Sequence, residues 1–383
     1  MASQSPKTKT KVVDIHTHMY PPEYISLLES RTNIPLVRTF SNSPDPRLVL
    51  LDAEVPLLDA VNTNPSPESP LPGRPLTRHF SSLAQKLHFM DTHGIDISVI
   101  SLANPWLDFL SGATAAPLAE SINTSFSQMC LTHPARLYFF AALPLTAPLP
   151  ALLSSIAHAS RLPHCRGVIL GTSGLGAGLD DPTLEPIFSA LAAARLPIFL
   201  HPHYGLPNEV FGPRAAAGEY GHVLPLAIGF PVETTVAVAR MFLAGVFDRF
   251  PELKMLLAHS GGTLPFLVGR IESCLQHDGF LVQKGGGPKR GLWEVLREQI
   301  YFDAVVYSKV ALKTAVEAAG GEDRLMFGTD HPFFPPVGGE NENEEWESVG
   351  LNAKAVIEGV DGDDKVAAIM GENAIKILRL DEE

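Results

Sequence analysis

Hydrophobic and polar positions follow two periods along most of this 383-residue chain. Short apolar runs with a period of two are typical of β-strands, and apolar residues spaced three or four apart are typical of amphipathic helices. The strand pattern recurs in eight segments: 12–18, 97–102, 137–144, 166–171, 197–203, 254–260, 300–306 and 324–330. Helical patterns lie between most of them, and the clearest are 117–131, 184–195, 233–243 and 309–319.

This alternation predicts an α/β protein, a (β/α)₈ barrel in which residues 1–383 form one domain. A doubly wound open sheet is the alternative, but no G-x-G-x-x-G motif follows the first strand. The glycine-rich run 171–178 matches no cofactor motif, and a tight turn is expected there rather than an active-site loop. The amphipathic segment 364–378 predicts a helix that closes the barrel, and the acidic stretch 340–347 predicts a solvated loop.

Residues 30–80 interrupt the alternation. The segment is rich in Pro, Ser and Asn, most densely over 62–74. Loops of this length in compact domains are usually functional or disordered. Because the segment follows the first strand, we expect it to fold over the mouth of the barrel as a lid.

Five polar side chains lie at the ends of predicted strands. His16 and His18 are two residues apart, so a strand would point both imidazoles to one face. Later strand-like runs end in His201, His259 and Asp330. Barrel enzymes carry their catalytic groups at the C-terminal ends of the strands, so this recurrence predicts a metal site. Taken alone, the H-x-H pair is a weak signal, since a histidine at a strand end also serves as a hydrogen-bonded wall residue.

The amino-acid composition limits the kinds of molecule that this protein is expected to bind. With a formal net charge of −13, the overall field does not attract nucleic acid or an anionic membrane surface. No uncharged apolar stretch is long enough for a membrane span, and residues 1–11 lack the apolar segment of a secretory signal. The three cysteines are widely spaced and odd in number, which argues against a disulfide framework. We expect a cytoplasmic protein whose substrate, if anionic, needs positive charge from a metal ion or an arginine.

Four motifs carry a resemblance to a known family. They are D-I-H-T-H at 14–18, F-D-R-F-P-E-L-K-M-L-L-A-H-S-G-G at 247–262, P-F-L-V-G-R-I at 265–271 and R-L-M-F-G-T-D-H-P-F at 324–333. Together they resemble the amidohydrolase superfamily, in the branch of aminocarboxymuconate-semialdehyde decarboxylase. The resemblance implies a distorted barrel with a long insertion after strand 1, one divalent metal ion, usually Zn²⁺, and non-oxidative decarboxylation. It also implies that His16, His18, His201 and Asp330 are the metal ligands and that His259 lies beside the metal.

Within that branch the chain looks most like the fungal uracil-5-carboxylate (isoorotate) decarboxylases of thymine salvage. The details are the Pro-rich insertion that ends at Arg74, Asn104 in L-A-N-P-W, the H-P-H-Y-G segment at 201–205 and Phe333 followed by a second Phe. This resemblance implies that Arg74 and Asn104 bind the substrate and that Phe333 packs on the pyrimidine. Arg270 matches an arginine that reaches the partner subunit's site, which implies a homodimer.

Each of these residues also has an ordinary structural explanation. Arg74 fits a solvated surface arginine, Asn104 with the following Pro fits a turn, and Phe333 fits a core residue. His203 and His331 are expected to be structural rather than ligands. No lysine ends the fourth strand at 168–171, so a carbamylated bridging lysine and a two-metal site are not expected.

The chemistry of the implied substrate accounts for the residue types. Direct loss of CO₂ from C5 of uracil-5-carboxylate would leave an in-plane carbanion that the ring stabilises poorly. Protonation of C5 first gives a β-keto-acid-like species, and a divalent metal would fix the ring and polarise the carbonyl. Asp330 and His259 are the two candidate proton donors. Decarboxylation of a hydroxybenzoate-type acid, or zinc binding without catalysis, are the alternative functions.

Overall fold

The computed structural model describes residues 10–64, 66, 70–174, 176–203, 206–212, 220–280, 287–336 and 345–382. Residues 1–9, Tyr204, Gly205 and most of the stretch 340–347 lie outside this description, together with the predictions made for them. The strands are β1 Val13–Met19, β2 Leu36–Arg38, β3 Arg47–Val49, β4 Arg74–Pro75, β5 Ile97–Leu102, β6 Leu137–Ala142, β7 Cys165–Gly171, β8 Ile198–His201, β9 Met255–Leu257, β10 Ile300–Asp303 and β11 Leu325–Met326. The helices are α1 Pro22–Ser30, α2 Val55–Thr63, α3 Leu83–Thr92, α4 Gly112–Leu131, α5 Leu149–Ala159, α6 Glu185–Ala193, α7 Phe230–Leu243, α8 Val246–Arg249, α9 Leu264–His277, α10 Leu292–Glu298, α11 Lys309–Ala319, α12 Glu347–Gly359, α13 Asp363–Ala367 and α14 Asn373–Ile377.

Eight of the strands form one parallel sheet, in the order β1-β5-β6-β7-β8-β9-β10-β11. Backbone hydrogen bonds also join the first strand to the segment that follows the last strand. The amide of Ile15 donates to the carbonyl of Phe327 at 3.1 Å, and the amide of His18 donates to that of His331 at 2.8 Å. These bonds bring the two edges of the sheet together, and helices lie between successive strands. The predicted (β/α)₈ barrel is confirmed.

The barrel strands are buried on both faces, as is usual for parallel strands covered by helices. Every residue of β5 and β6 is buried. Phe139 and Phe140 of β6 are fully buried, and each contributes roughly 1.5–3 kcal/mol by leaving water. Asn123 of α4 fixes the helix to the strand end: its side-chain amide donates to the carbonyl of Ala142 and accepts from its amide, at 2.9 and 2.8 Å.

Five predicted strands end earlier than the sequence pattern suggested: those at 137–144, 197–203 and 300–306 end at Ala142, His201 and Asp303. The other two carry site residues at their ends. The segment 254–260 is a strand only to Leu257, and the segment 324–330 only to Met326. Beyond these points His259, Ser260 and Asp330 have positive φ angles of 53°, 50° and 57°, which a strand does not allow. The two functional segments are therefore turns attached to short strands.

The insertion is a folded substructure rather than a bare loop. β2, β3 and β4 pair as a separate antiparallel sheet, and α2 follows β3. A second apolar cluster holds the unit together, formed by Leu36, Phe40, Val49, Leu58 and Val61. The insertion can therefore hold its last strand, which begins at Arg74, in a defined position.

The predicted C-terminal helix is present over Asp363–Ile377, with a π-helical turn at Ala368–Glu372 between α13 and α14. It closes the barrel at the start of β1. A Cβ at Gly371 would lie 1.8 Å from the carbonyl oxygen of Lys11, so this helix approaches the chain entering β1 as closely as only glycine permits.

One helical stretch, Pro225–Leu243, is long and apolar enough by length and composition to cross a membrane. Half of its most apolar window is buried inside the protein. It contains the charged residues Glu233 and Arg240. Its residues from Phe230 onward form α7, which packs against the barrel as a core helix of a globular protein does.

Candidate active site

The structure brings the four predicted metal ligands together. His16, His18, His201 and Asp330 each offer one nitrogen or oxygen atom, and these four atoms lie within 4.8 Å of one another. All four residues are buried. His16 and His18 share one face of β1, and their ring centroids are 5.0 Å apart. The cluster thus lies at the C-terminal ends of β1 and β8, where the barrel carries its chemistry.

The second ring nitrogen of each histidine has a partner of its own. The pairs are His16 Nδ1 with Asp303 Oδ2 at 2.5 Å, His18 Nδ1 with Ser101 Oγ at 2.9 Å, and His201 Nδ1 with the carbonyl of Pro202 at 2.8 Å. Such contacts fix the tautomer and the ring orientation of metal-binding histidines. They leave the Nε2 atoms to face the cluster.

Several atoms of the cluster have unmet bonding capacity. Among the described residues, Nε2 of His16, Nε2 of His18 and Oδ1 of Asp330 are buried and make no hydrogen bond. Buried polar atoms without partners are costly, and each calls for an explanation. A divalent cation would satisfy all three atoms. Three imidazole nitrogens and one carboxylate oxygen suit such a metal and leave coordination positions open for a substrate.

The pKa shifts in the cluster favour the protonation states that metal ligands need. Burial lowers the pKa of His18 to about 4 and lowers the pKa of His201 well below its usual value. Burial acts to raise the pKa of Asp330, but the nearby positive charge of His16 outweighs it and holds that pKa well below its usual value. Neutral imidazoles and an ionised carboxylate are the forms that bind metals. For His16, burial lowers the pKa, but Asp330 and Asp303 together raise it to about 10, so a bound cation would replace that proton.

His259 lies on the turn after β9, beside the cluster. Its Nε2 is 3.5 Å from Oδ2 of Asp330. The carboxylate of Asp303 holds this turn, because its two oxygens accept from the amides of His259 and Ser260 at 2.9 and 2.7 Å. One buried carboxylate therefore orients His16 and supports the left-handed backbone that presents His259.

A cavity of about 800 Å³ opens over the cluster. Its wall includes Arg74, Asn104 and Phe333, three of the four residues predicted to bind substrate, together with His201 and Asp330. The guanidinium carbon of Arg74 lies 5.0 Å from the centroid of the Phe333 ring. A planar anionic ligand in this cavity would meet a cation, an amide and an aromatic ring.

The insertion presents Arg74 through a buried carboxylate. Oε1 of Glu54 accepts from the amide of Gly73 at 2.9 Å and lies 3.1 Å from Nε2 of His222. Arg47 donates to the carbonyls of Pro72 and Gly73. Gly73 has a φ of 71°, and a Cβ there would lie 2.4 Å from a backbone oxygen of the neighbouring strand. The turn before Arg74 is therefore set by several contacts, and the composition of the segment did not reveal this.

The remaining predicted residues fall outside the cluster. Arg270 is exposed on α9 and is not brought to this cavity in the same chain. His203 Nε2 lies 2.8 Å from Oδ2 of Asp108, and His331 Nδ1 lies 2.8 Å from Nζ of the buried Lys86. Both histidines have structural partners, in agreement with the prediction that they are not ligands.

The described residues of the run 171–178 that follow Gly171 form a turn after β7, as predicted. A Cβ at Gly171 would lie 1.8 Å from the ring of His203, so glycine is needed there for a close approach. Thr172 and Ser173 lie within hydrogen-bonding distance of His203 Nδ1, at 3.4 and 3.2 Å.

Comparison with known proteins gives the class of the chain. Residues 13–380 match the family model described as "Amidohydrolase". The chain belongs to this amidohydrolase family. Its predicted resemblance to the decarboxylases of that superfamily is confirmed by the relatives described next.

One similar solved structure is that of isoorotate decarboxylase (IDCase) of Metarhizium anisopliae in its apo form. It is 65% identical, with a TM-score of 0.92, over 97% of this chain and 98% of that chain. A curated relative, 2-amino-3-carboxymuconate-6-semialdehyde decarboxylase of Dictyostelium discoideum, is 29% identical over 77% of this chain and 76% of its own length. By family and fold the chain is therefore related to metal-dependent decarboxylases.

A third similarity concerns the fold alone. The 5-carboxyvanillate decarboxylase of Novosphingobium aromaticivorans, solved with manganese and 4-hydroxy-3-methoxy-5-nitrobenzoic acid, has a TM-score of 0.73 at 21% identity. The alignment covers 98% of this chain and 97% of that chain. The chain thus shares its barrel fold with that manganese-containing protein.

Proposed function

We propose that this protein is a metal-dependent decarboxylase that converts uracil-5-carboxylate (isoorotate) to uracil and CO₂ in pyrimidine salvage. The observation that carries the proposal is one cavity in which Arg74 and Asn104 face His201 and Asp330 of the buried cluster. The similarity to IDCase at 65% identity over nearly the whole chain supports the substrate.

His16, His18, His201 and Asp330 hold the metal in this proposal. A bound divalent cation supplies positive charge that fixes the substrate and polarises its ring carbonyl. Zn²⁺ is the proposed ion, and Mn²⁺ is the alternative because a relative of the same fold carries manganese.

The other residues bind and orient the acid. Arg74 offers a planar guanidinium to an anionic or urea-like edge of the ring. Asn104 is buried, and its Nδ2 donates to the carbonyl of Pro202 at 3.3 Å, which holds the amide against the cavity wall. Phe333 packs edge-on against His18 at 5.4 Å between ring centroids and presents an aromatic surface to the pyrimidine.

In this proposal Asp330 and His259, whose side chains are 3.5 Å apart, act together as the proton donor. A proton passes from this pair to C5 of the ring. The bond from C5 to the carboxylate carbon then breaks, CO₂ leaves, and the electron pair of that bond restores the ring double bond. The cycle consumes one proton from solvent, which reprotonates the pair.

The relatives at lower identity include decarboxylases of aromatic acids, such as the 28% identical gamma-resorcylate decarboxylase of Rhizobium sp.. Turnover of both acids by the metal-loaded protein therefore tests the proposed substrate. We expect kcat/KM for uracil-5-carboxylate to exceed that for gamma-resorcylate by at least about 100-fold, because hydrogen-bonding sites discriminate strongly against ligands that leave them unpaired. A preference for gamma-resorcylate would replace the proposed substrate with the aromatic one, and metal binding without turnover of either acid would exclude both.

A further inference from the structure

Tyr307 is a residue of the cavity that the sequence motifs did not single out. It follows β10 and contributes to the cavity wall together with His259, Asp330 and Phe334. Its ring centroid lies 5.6 Å from that of Phe334. Tyr307 is thus part of the same wall as the proposed proton-donating pair.

The backbone of Tyr307 is held in an unusual conformation. Its φ angle is 56°, in the left-handed region that bulky residues rarely adopt. Asn352, fully buried on α12, accepts from the amides of Val306 and Tyr307 at 3.0 and 2.9 Å. Strained backbone that neighbouring groups maintain in this way concentrates at functional sites. Asn352 therefore acts as a positioning residue that fixes the direction of the Tyr307 side chain.

The hydroxyl group of Tyr307 is buried and has no hydrogen-bond partner in the part of the chain that the structure describes. Burial raises the pKa of Tyr307 far above its usual value, and the nearby Asp330 and Asp303 raise it further, so the group is a protonated donor at every physiological pH. A buried donor without an acceptor destabilises the free protein, and a ligand that supplies the acceptor relieves this cost.

We propose that Tyr307 is a further substrate-binding residue, whose hydroxyl donates a hydrogen bond to an oxygen atom on the ring of the bound acid. This inference rests on the proposed decarboxylase function and deepens it by naming a donor on the wall formed by the segment after β10. The ring acceptor would be a carbonyl in a pyrimidine acid and a hydroxyl oxygen in a hydroxybenzoate. Asn352 keeps the donor aimed before the ligand arrives, so that binding requires little rearrangement.

The substitution Tyr307→Phe removes only the hydroxyl and separates ligand binding from stability. In metal-loaded protein without ligand we expect an unchanged melting temperature or a rise of about 1–2 °C, because an unpaired buried group is lost. Titration calorimetry with uracil is expected to give a Kd about tenfold weaker than in the wild type. KM for the acid should rise by a similar factor while metal content stays the same.

Tyr138→Phe is the matched control. The hydroxyl of Tyr138 donates to the carbonyl of Leu380, in a part of the chain remote from the cavity. Its loss should lower the melting temperature and leave the uracil Kd unchanged. If Tyr307→Phe behaves in this way too, the hydroxyl has a structural role and the inference is overturned.

Gamma-resorcylate serves as a second probe that separates this inference from the proposed substrate. If the wild type binds gamma-resorcylate but not uracil, the proposed substrate fails, and tenfold weaker binding of gamma-resorcylate by Tyr307→Phe would still support the hydroxyl as a donor. Equal affinity of wild type and variant for whichever ligand binds overturns the inference and leaves the proposed function standing. Binding of neither ligand by the wild type contradicts both.

Discussion

Arg74 places a positive charge on the wall of the cavity, in a protein whose formal net charge is −13. An anionic substrate is repelled by the overall field, so local cations decide whether it binds. The contacts of Glu54 and Arg47 with the turn at Gly73 hold this guanidinium at the cavity instead of leaving it in solvent.

Replacing Arg74 with Ala is expected to raise KM by about 10- to 100-fold, because a hydrogen bond to a charged group contributes about 1.5–3 kcal/mol. The fold and the metal content should not change, since the contacts that set the turn involve the backbone before Arg74. Steady-state kinetics with metal analysis on the same samples checks this. Arg78→Ala, at an exposed position of the same segment, is the control and should keep the wild-type KM. Wild-type kinetics in Arg74→Ala would mean that Arg74 is an ordinary surface residue.

At the residue scale, the sequence reveals what depends on local spacing. His16 and His18 are two residues apart on an apolar run, so their convergence could be predicted. Asp303 could not be predicted as the residue that orients His16, because it lies 287 residues away along the chain. Tyr307 and Glu54 escaped notice for the same reason: their burial depends on segments distant in the chain.

At the scale of elements, the turns after β9 and β11 define the site more than the strands do. The patterns predicted strands that continue to His259 and Asp330, and the structure ends both strands earlier. Apolar periodicity reports where a segment is buried, whereas the left-handed backbone at these residues depends on hydrogen bonds from other elements. The composition of the insertion likewise suggested a lid or disorder, because its small apolar cluster is assembled from residues scattered among prolines.

The turn after β9 gives a prediction for Asp303. The variant Asp303→Asn keeps the size of the side chain but supplies one acceptor oxygen in place of two. We expect metal affinity to fall by about 10- to 100-fold, because groups that orient metal-binding histidines have effects of this size. The metal-free protein should lose about 1–3 kcal/mol of stability from amides left without acceptors.

Competition with a chelating dye and denaturant unfolding measure these two quantities for Asp303→Asn. The exposed Asp91 pairs with Arg136 at 2.7 Å, and Asp91→Asn should change stability by less than about 1 kcal/mol, as is usual for surface pairs. Wild-type metal affinity in Asp303→Asn would show that His16 needs no such support.

At the scale of the whole molecule, the mouth of the cavity is apolar and open. Phe266 of α9 belongs to the cavity wall and is 81% exposed, and Val223 on the same wall is 65% exposed. Exposed apolar surface around a site commonly marks an interface. This agrees with the predicted homodimer, in which Arg270, exposed on the same helix, serves the partner's site.

The dimer remains a prediction, and sedimentation at micromolar concentration tests it. A single monomeric species with full activity would contradict it. If a dimer forms, mixing inactive Arg270→Ala with inactive Asp330→Asn tests the role of Arg270, because only a mixed dimer contains one site with both groups. We expect the mixture to regain activity. Failure to regain activity would leave Arg270 with a structural role in its own chain.

The most direct test of this account is metal content and turnover measured together on the same protein samples. Chelator-treated wild type should be inactive with uracil-5-carboxylate and should regain activity in proportion to added Zn²⁺ or Mn²⁺, with saturation at about one ion per chain, as expected for a single catalytic site. His16→Ala and His201→Ala should bind little metal and release little CO₂ under the same conditions, while the exposed His88→Ala should match the wild type. Full turnover by metal-free protein, or full metal occupancy in both ligand variants, would contradict the account.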